Sequence, residues 1–416
     1  MLRYKALVLM AVVGSLTMTI PAFSGDTYKV LRWFSGKDGG NPYGGLIFDA
    51  SGNLYGTTLA GGISGNGTVF QLVPDGSGGW TEHVLHKFCS ERSCKDGSTP
   101  YDNLIMDSLG NLYGTTYFGG LRYGGVVFQL KPNSNGTWTE HVLYTFCTIC
   151  RDPKVGANPG SGLTLDKAGN LYGTTSAAVF QLVPGPKDTW KMNVLYRFCS
   201  QPGCADGVGP SSDLLLDSSG NLYGETAGGG TYSNGNCSAF INETCGTVFE
   251  LSPGGGGSWT ERVLHSFDYQ DGYYPGGGLV FDEAGNLYGT TARGDAFGSG
   301  VVFQLVPGAG GVWTEKVIHY FDSRTHLPVG PLAFDRAGNL YGVTLAGGSG
   351  DVGTVFRLSP GQNNSWTQTV LHSFTGEGGR YPGSGVILDN NGNLYGATQG
   401  GGSGRYGHGL VYEITP

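Results

Sequence analysis

Five residues of this chain interrupt an otherwise uniform pattern with groups that can move protons or hold charge: Glu225, Arg293, Asp295, His326 and His408. Glu225 stands where four sister copies of an internal repeat carry Thr, and Arg293 and Asp295 stand where others read Ala-Gly-Gly. Arg324 and His326 break one connecting loop; Arg405, Tyr406 and His408 decorate another. Gathered at one mouth, a carboxylate, arginines and histidines would suit acid–base chemistry on a sugar or a lactone. Solvated loop residues leave the same mark on a sequence, and that simpler reading is favoured.

A second set is itself repeated. Asp38, Asp96, Asp206 and Asp271 each precede Gly and lie four residues before a proline. As a partial ring, these carboxylates would accept cations or sugar hydroxyls; as Asp-Gly turns, they would only shape the chain. Tyr101, Tyr123, Tyr273, Tyr274, Tyr381 and Tyr406 supply rings that can lie on sugar faces while their hydroxyls stay wet. The expected ligand-binding set is therefore Asp96, Asp206, Asp271, Tyr101, Tyr273, Tyr274 and Tyr406.

Metal and cofactor chemistry find no comparable support. His86, His265, His319 and His372 recur in the same repeat position, which spreads them around a rim where no two would share an ion. No nucleophile elbow, phosphate loop, zinc-protease helix or dinucleotide fingerprint occurs, so no cofactor and no metal is expected. The eight cysteines fall into four close pairs, Cys89/Cys94, Cys147/Cys150, Cys199/Cys204 and Cys237/Cys245. An even count at short spacing favours local disulfides in an exported protein. A redox or metal role for the CxxC at Cys147–Cys150 is the rival reading.

The elements that must position these residues are set by the repeat. The string D-x-x-G-N-L-Y-G begins at Asp49, Asp107, Asp166, Asp217, Asp282, Asp335 and Asp389, with spacings of 58, 59, 51, 65, 53 and 54 residues. A VF-x-L string follows each time, at Phe70, Phe128, Phe180, Phe249, Phe303, Phe356 and, as a variant, Tyr412. A third, W-x-x-x-V-[LI]-x-x-F, starts at Trp80, Trp138, Trp190, Trp259, Trp313 and Trp366. Each copy predicts four short strands, a to d; in the first copy they are 46–49, 53–58, 68–72 and 80–88. Asp and Gly between a and b make a tight turn. Four antiparallel strands repeated radially describe a propeller blade, and the count predicts seven. The last copy stops after its c strand, while a lone d strand, 28–34, opens the chain. Together they complete the seventh blade, which closes the ring and hides the sheet edges.

Composition agrees. Gly is 77 of 416 residues, Asp, Glu, Lys and Arg make only 13%, and 39% are apolar. Such a chain is poor in helix formers but has ample material for a core. The first residues combine Arg3 and Lys5, an apolar run and Ala22-Phe23-Ser24. They read as a signal peptide over 1–24 rather than a membrane anchor, leaving 25–416 as one domain. The net charge of −8, with no basic run, argues against nucleic acid as a partner.

The combined pattern D-x-x-GNLYG-T-T…AGG…GTVF-x-L-x-P…WT-x-x-VLH-x-F resembles the GloVer-type tandem repeat of secreted bacterial "choice-of-anchor" proteins, with weaker similarity to NHL and gluconolactonase-like propellers. The resemblance implies a bacterial, exported propeller and carries no catalytic residues to transfer. The expectation is a secreted, monomeric, all-β protein: a seven-bladed β-propeller of four-stranded antiparallel blades. Its loop-rich face binds glycan or an extracellular protein. An extracellular carbohydrate-active or lactone-type enzyme on the same face is the alternative.

Overall fold

The computed structural model describes residues 26–147, 155–232, 237, 244–294, 298–402 and 407–416. The expected signal peptide, Cys150, Asp295 and Tyr406 lie outside the described residues. The described residues form seven antiparallel sheets, six built from one repeat each and the seventh from the last repeat and the N-terminal strand. In the first blade the strands are Ile47–Phe48, Leu54–Thr58, Thr68–Pro74 and Trp80–Lys87. The ring closes as the order of pieces predicts. Thr27–Trp33 is the outer strand of the last blade, running antiparallel to Leu410–Thr415 from Thr27↔Thr415 to Trp33↔Leu410.

The repeated letters are the parts of one packing unit. In the a–b turn, Asp49 Oδ1 accepts the N–H groups of Ser51 and Asn53 at 2.8 and 2.9 Å. Its Oδ2 accepts Asn53 Nδ2 at 2.7 Å and the Tyr55 hydroxyl at 3.0 Å. Gly52 takes φ +83° to close the turn. Partial burial works against the charge on Asp49, but these donors outweigh it and hold its carboxyl below the usual range. Leu54 is fully buried. Gly56 follows because a Cβ there would lie 2.6 Å from Phe70 Cζ. The D-x-x-G-N-L-Y-G string is thus a turn, a core anchor and a seat for the Phe of strand c.

Between blades, that Phe meets the last aromatic of the preceding outer strand edge-on. Phe88–Phe128, Phe146–Phe180 and Phe267–Phe303 have centroids 5.0 to 5.3 Å apart. The closing seams repeat the contact with Phe34–Phe70 at 5.1 Å and Phe374–Tyr412 at 5.3 Å, so the two chain ends pack as any internal seam does. The recurrent Thr at the end of strand b ties down the loop to strand c. Thr58 Oγ1 donates to Ala60 O at 2.9 Å and accepts the Thr68 N–H at 3.1 Å.

One element differs from expectation. In three blades the segment ending at the recurrent proline adds a short strand ahead of strand a, and in the sixth the two run together as Thr325–Phe334. In the fourth blade Val208–Pro210 and Leu215–Leu216 pair separately with Leu222–Gly228. The residues between, just after the recurrent proline, leave the sheet where the blades crowd the axis. Gly44 shows the constraint, since a Cβ there would lie 2.6 Å from Asp102 O of the next blade.

Candidate functional site: the axial cavity

On the loop-rich face, residues at and beside the recurrent prolines surround a cavity of about 400 Å³. Every blade contributes to its lining: Tyr43, Tyr101, Asn158, Ser211, Tyr274, Pro328 and Ser384 come from successive blades. The volume lies within the roughly 300–1,000 Å³ range of small-molecule sites.

One wall is aromatic. The rings of Tyr43 and Tyr101 are 4.5 Å apart at an angle of 37°, and Tyr101 lies 5.8 Å from Tyr117. Burial raises the hydroxyl pKa of both Tyr43 and Tyr101, and each feels the charge of Asp102. Tyr274 lines the same cavity, is 40% exposed, and holds φ +64°. That conformation is uncommon for a bulky residue.

The second polar feature is carboxylate. Asp213 of the fourth blade accepts Asn103 Nδ2 of the second blade at 2.7 Å and the Gly162 N–H of the third. Asn103 Oδ1 accepts the Gly45 N–H of the first blade. Four blades are therefore joined at the axis through one amide and one carboxylate. Asp102 accepts the N–H of Asn103 at 2.9 Å. Both acids line the cavity and are partly buried, and burial raises both carboxyl pKa values. Asp213's charge pushes Asp102 up further, while donors from Asn103 and Gly162 restrain both acids.

The residues singled out from sequence are divided by the fold. Tyr101 and Tyr274 line the cavity. Tyr273 instead stacks on Tyr269 at 5.3 Å and 18°. Asp96 and Asp206 are 1% and 0% exposed, and their oxygens are taken by loop donors. Asp96 accepts Ser90 N–H at 2.9 Å and Ser90 Oγ at 2.8 Å. Asp206 accepts the equivalent pair from Ser200, both at 2.8 Å, with Tyr196 OH at 2.9 Å. Asp271 meets His265 Nε2 at 2.8 Å. These three carboxylates order the d–a loops. Two of those loops are also stapled, by Cys89–Cys94 and Cys199–Cys204, and a third disulfide joins Cys237 to Cys245. Cys147 is disulfide-bonded as well.

The proposed acid–base set is scattered. Glu225 is fully buried in the wall between the fourth and fifth blades, where Oε2 accepts the Gly278 N–H at 2.8 Å and Oε1 has no partner. Burial raises its pKa to about 8. Arg293 is exposed at a strand end opposite Tyr273. His326 Nε2 lies 3.9 Å from Asp351. His408 borders a separate cavity beside Trp33 and Glu377. Among the described residues no hydrogen bond or ion pair joins any two of Glu225, Arg293, His326 and His408, and none lines the axial cavity. No group of three metal-ligating side chains occurs among the described residues.

Asp102, Asn103, Asp213, Tyr43 and Tyr117 were missed in the sequence. A signal existed for three of them: the triplets after the proline are mostly Gly and Ser, and Tyr-Asp-Asn at 101–103 and Ser-Ser-Asp at 211–213 depart from that pattern.

A family model described as the Gloeobacter/Verrucomicrobia repeat matches residues 16–238, 176–325 and 237–416. No curated protein sequence matches the chain. Virginiamycin B lyase from Staphylococcus aureus is similar in structure, with a TM-score of 0.55 and 14% identity over 94% of this chain and 99% of that one. A protein from Lactobacillus plantarum aligns with a TM-score of 0.50 and 15% identity over 80% and 84% of the two chains. A gluconolactonase from Xanthomonas campestris aligns with a TM-score of 0.41 and 14% identity over 74% and 82%. For the first two, at these identities, the likeness is one of fold.

Proposed function

This chain belongs to the Gloeobacter/Verrucomicrobia repeat family, and on that premise we propose that it is an exported binding module that takes a glycan at the axis of its loop-rich face. The observation that carries the reading is the axial cavity, where Tyr43, Tyr101, Tyr117 and Tyr274 adjoin Asp102, Asn103 and Asp213. Tyrosine rings cover the apolar face of a sugar while carboxylate and amide oxygens accept its hydroxyls. Disulfides in the loops support an oxidising, extracellular-type compartment. No helix among the described residues is long and apolar enough to cross a membrane. The single chain closes its own ring, which supports a monomer.

One observation favours the enzymatic alternative: Asp102 and Asp213 share a partly enclosed cavity and burial raises the pKa of both, as in a pair of carboxyls that shares a proton. Retention on insoluble polysaccharides, compared between wild type, Tyr101→Ala and Tyr274→Ala, tests the binding reading. Loss in both variants, with Tyr273→Ala retained, is expected. Equal retention of all four proteins would remove the axial site. Release of soluble sugar by wild type, abolished in Asp213→Asn, would replace the module with an enzyme.

A further inference from the structure

The charge at the axis distinguishes among glycans. Of the 25 residues lining the cavity, two are carboxylates, four are tyrosines, and none is lysine, arginine or histidine. Asp213 is held on both oxygens, by Asn103 Nδ2 and by the Gly162 N–H. Asp102 accepts the Asn103 N–H, and an ionised carboxylate has room for further donors. Beside it stand the rings of Tyr43 and Tyr101, whose π faces attract cations. A cavity with fixed negative groups, aromatic walls and no cation of its own concentrates positive charge.

We propose, building on the glycan reading above, that the axial cavity selects a sugar carrying a free amino group, with the ammonium donating to Asp102 beside Tyr43 and Tyr101. An N-acetyl group would remove the charge and leave Asp102 with a neutral amide. Burial and the charge of Asp213 oppose the ionisation of Asp102 in the empty site. The groups facing it are Asp213, Tyr43 and Tyr101, all acids, so no internal cation competes for the carboxylate. An arriving ammonium favours the ionised carboxylate, so any proton that Asp102 holds passes to solvent as the amine binds.

Titration calorimetry with the full-length mature protein tests this. The probes are the glucosamine tetramer, its fully N-acetylated counterpart, cellotetraose and spermidine. The expected result is a preference of about tenfold or more for the free-amine tetramer over both neutral tetramers, as a charge-assisted hydrogen bond supplies. Buffers of different ionisation enthalpy should report release of up to about one proton per ligand. In Asp102→Asn, shown to melt as wild type does, the ratio should fall to near one. Equal affinity for the three tetramers would overturn amine selection and leave glycan binding standing. Failure to bind any tetramer would overturn both. Spermidine binding as tightly as the amine tetramer would overturn the sugar requirement. A preference that survives Asp102→Asn would overturn the role of Asp102.

Discussion

The two ends of each blade are made from the same strands and are used in opposite ways. At one end the Asp–Asn–Tyr turn recurs seven times, and the Asn Nδ2 to Asp Oδ2 bond varies only from 2.7 to 2.9 Å. At the other, the triplets after the proline show six different sequences in seven blades. A residue repeated in every blade performs one structural task seven times. A residue present once performs a task the ring needs only once. Asp49 and Asp102 illustrate the contrast. The first is stabilised as an anion by four donors, whereas the second is pushed toward its neutral form by burial and by Asp213. A fold that needs the charge at one end tolerates a destabilised charge at the other, which is where ligand contacts are built.

That division can be broken most severely at the ring closure. Removing residues 26–36 deletes the partner of Leu410–Thr415 and the Phe34–Phe70 contact. The expected outcome is aggregation or loss of a cooperative melt, read by calorimetry and gel filtration. A monomer with an unchanged melting temperature would show that the closing strand is dispensable.

A smaller effect compares the two ends directly. Asp49→Ala leaves the turn donors without their acceptor and should destabilise by roughly 2–3 kcal/mol in denaturant unfolding. Asp102→Asn should change stability by no more than about 0.5 kcal/mol. Comparable losses in both variants would erase the distinction between framework and site.

The pH dependence sharpens the comparison through the acids that burial raises. Glu225 and Glu140 have pKa values raised to about 8 in the fold, chiefly by burial, against roughly 4.3 in an unfolded chain. The folded state binds these protons more tightly, so their stability contribution is complete below about pH 4.3 and declines as pH rises through 8. Glu140→Gln and Glu225→Gln should therefore leave the melt at pH 5 nearly unchanged and raise it by a few degrees at pH 9. The turn acids behave in the opposite sense. Asp49, Asp166, Asp282 and Asp335 are lowered, so their contribution is present above about pH 3.9 and is lost as pH falls through their folded values. A thermal scan from pH 2 to 9 should show losses at both extremes; a flat profile above pH 6 would contradict the raised glutamates.

The smallest effect belongs to Arg293. Its exposed position at a strand end predicts that Arg293→Ala shifts stability by under about 0.5 kcal/mol and leaves polysaccharide retention unchanged. Lost retention would move the site outward from the axis toward the loops.

Much of the molecule was legible in its repeats because those features are local. The spacing of Asp49, Gly52, Asn53 and Tyr55 contains the turn, since all its hydrogen bonds span six residues or fewer. Seven copies announced seven blades, and the unmatched strands at the two ends announced how the ring closes. The same locality misled the search for a site. Residues that stand out along the chain, such as Glu225, Arg293, His326 and His408, are distributed over four blades, and nothing in their spacing says which way each faces. Asp96 and Asp206 read as acceptors in a loop until packing showed their oxygens filled by Ser90 and Ser200.

Composition and repetition determined that this chain is a closed all-β ring with disulfide-stapled loops on one face. Tertiary structure alone decided which residues meet at the centre. Asn103 and Asp213 are 110 positions apart and in different blades, yet lie 2.7 Å from one another. Strands radiating from a common axis bring together the residues nearest that axis, whatever their separation in sequence. Each triplet follows its own proline and belongs to its own local motif, so no pattern within one repeat carries the identity of its neighbours across the channel.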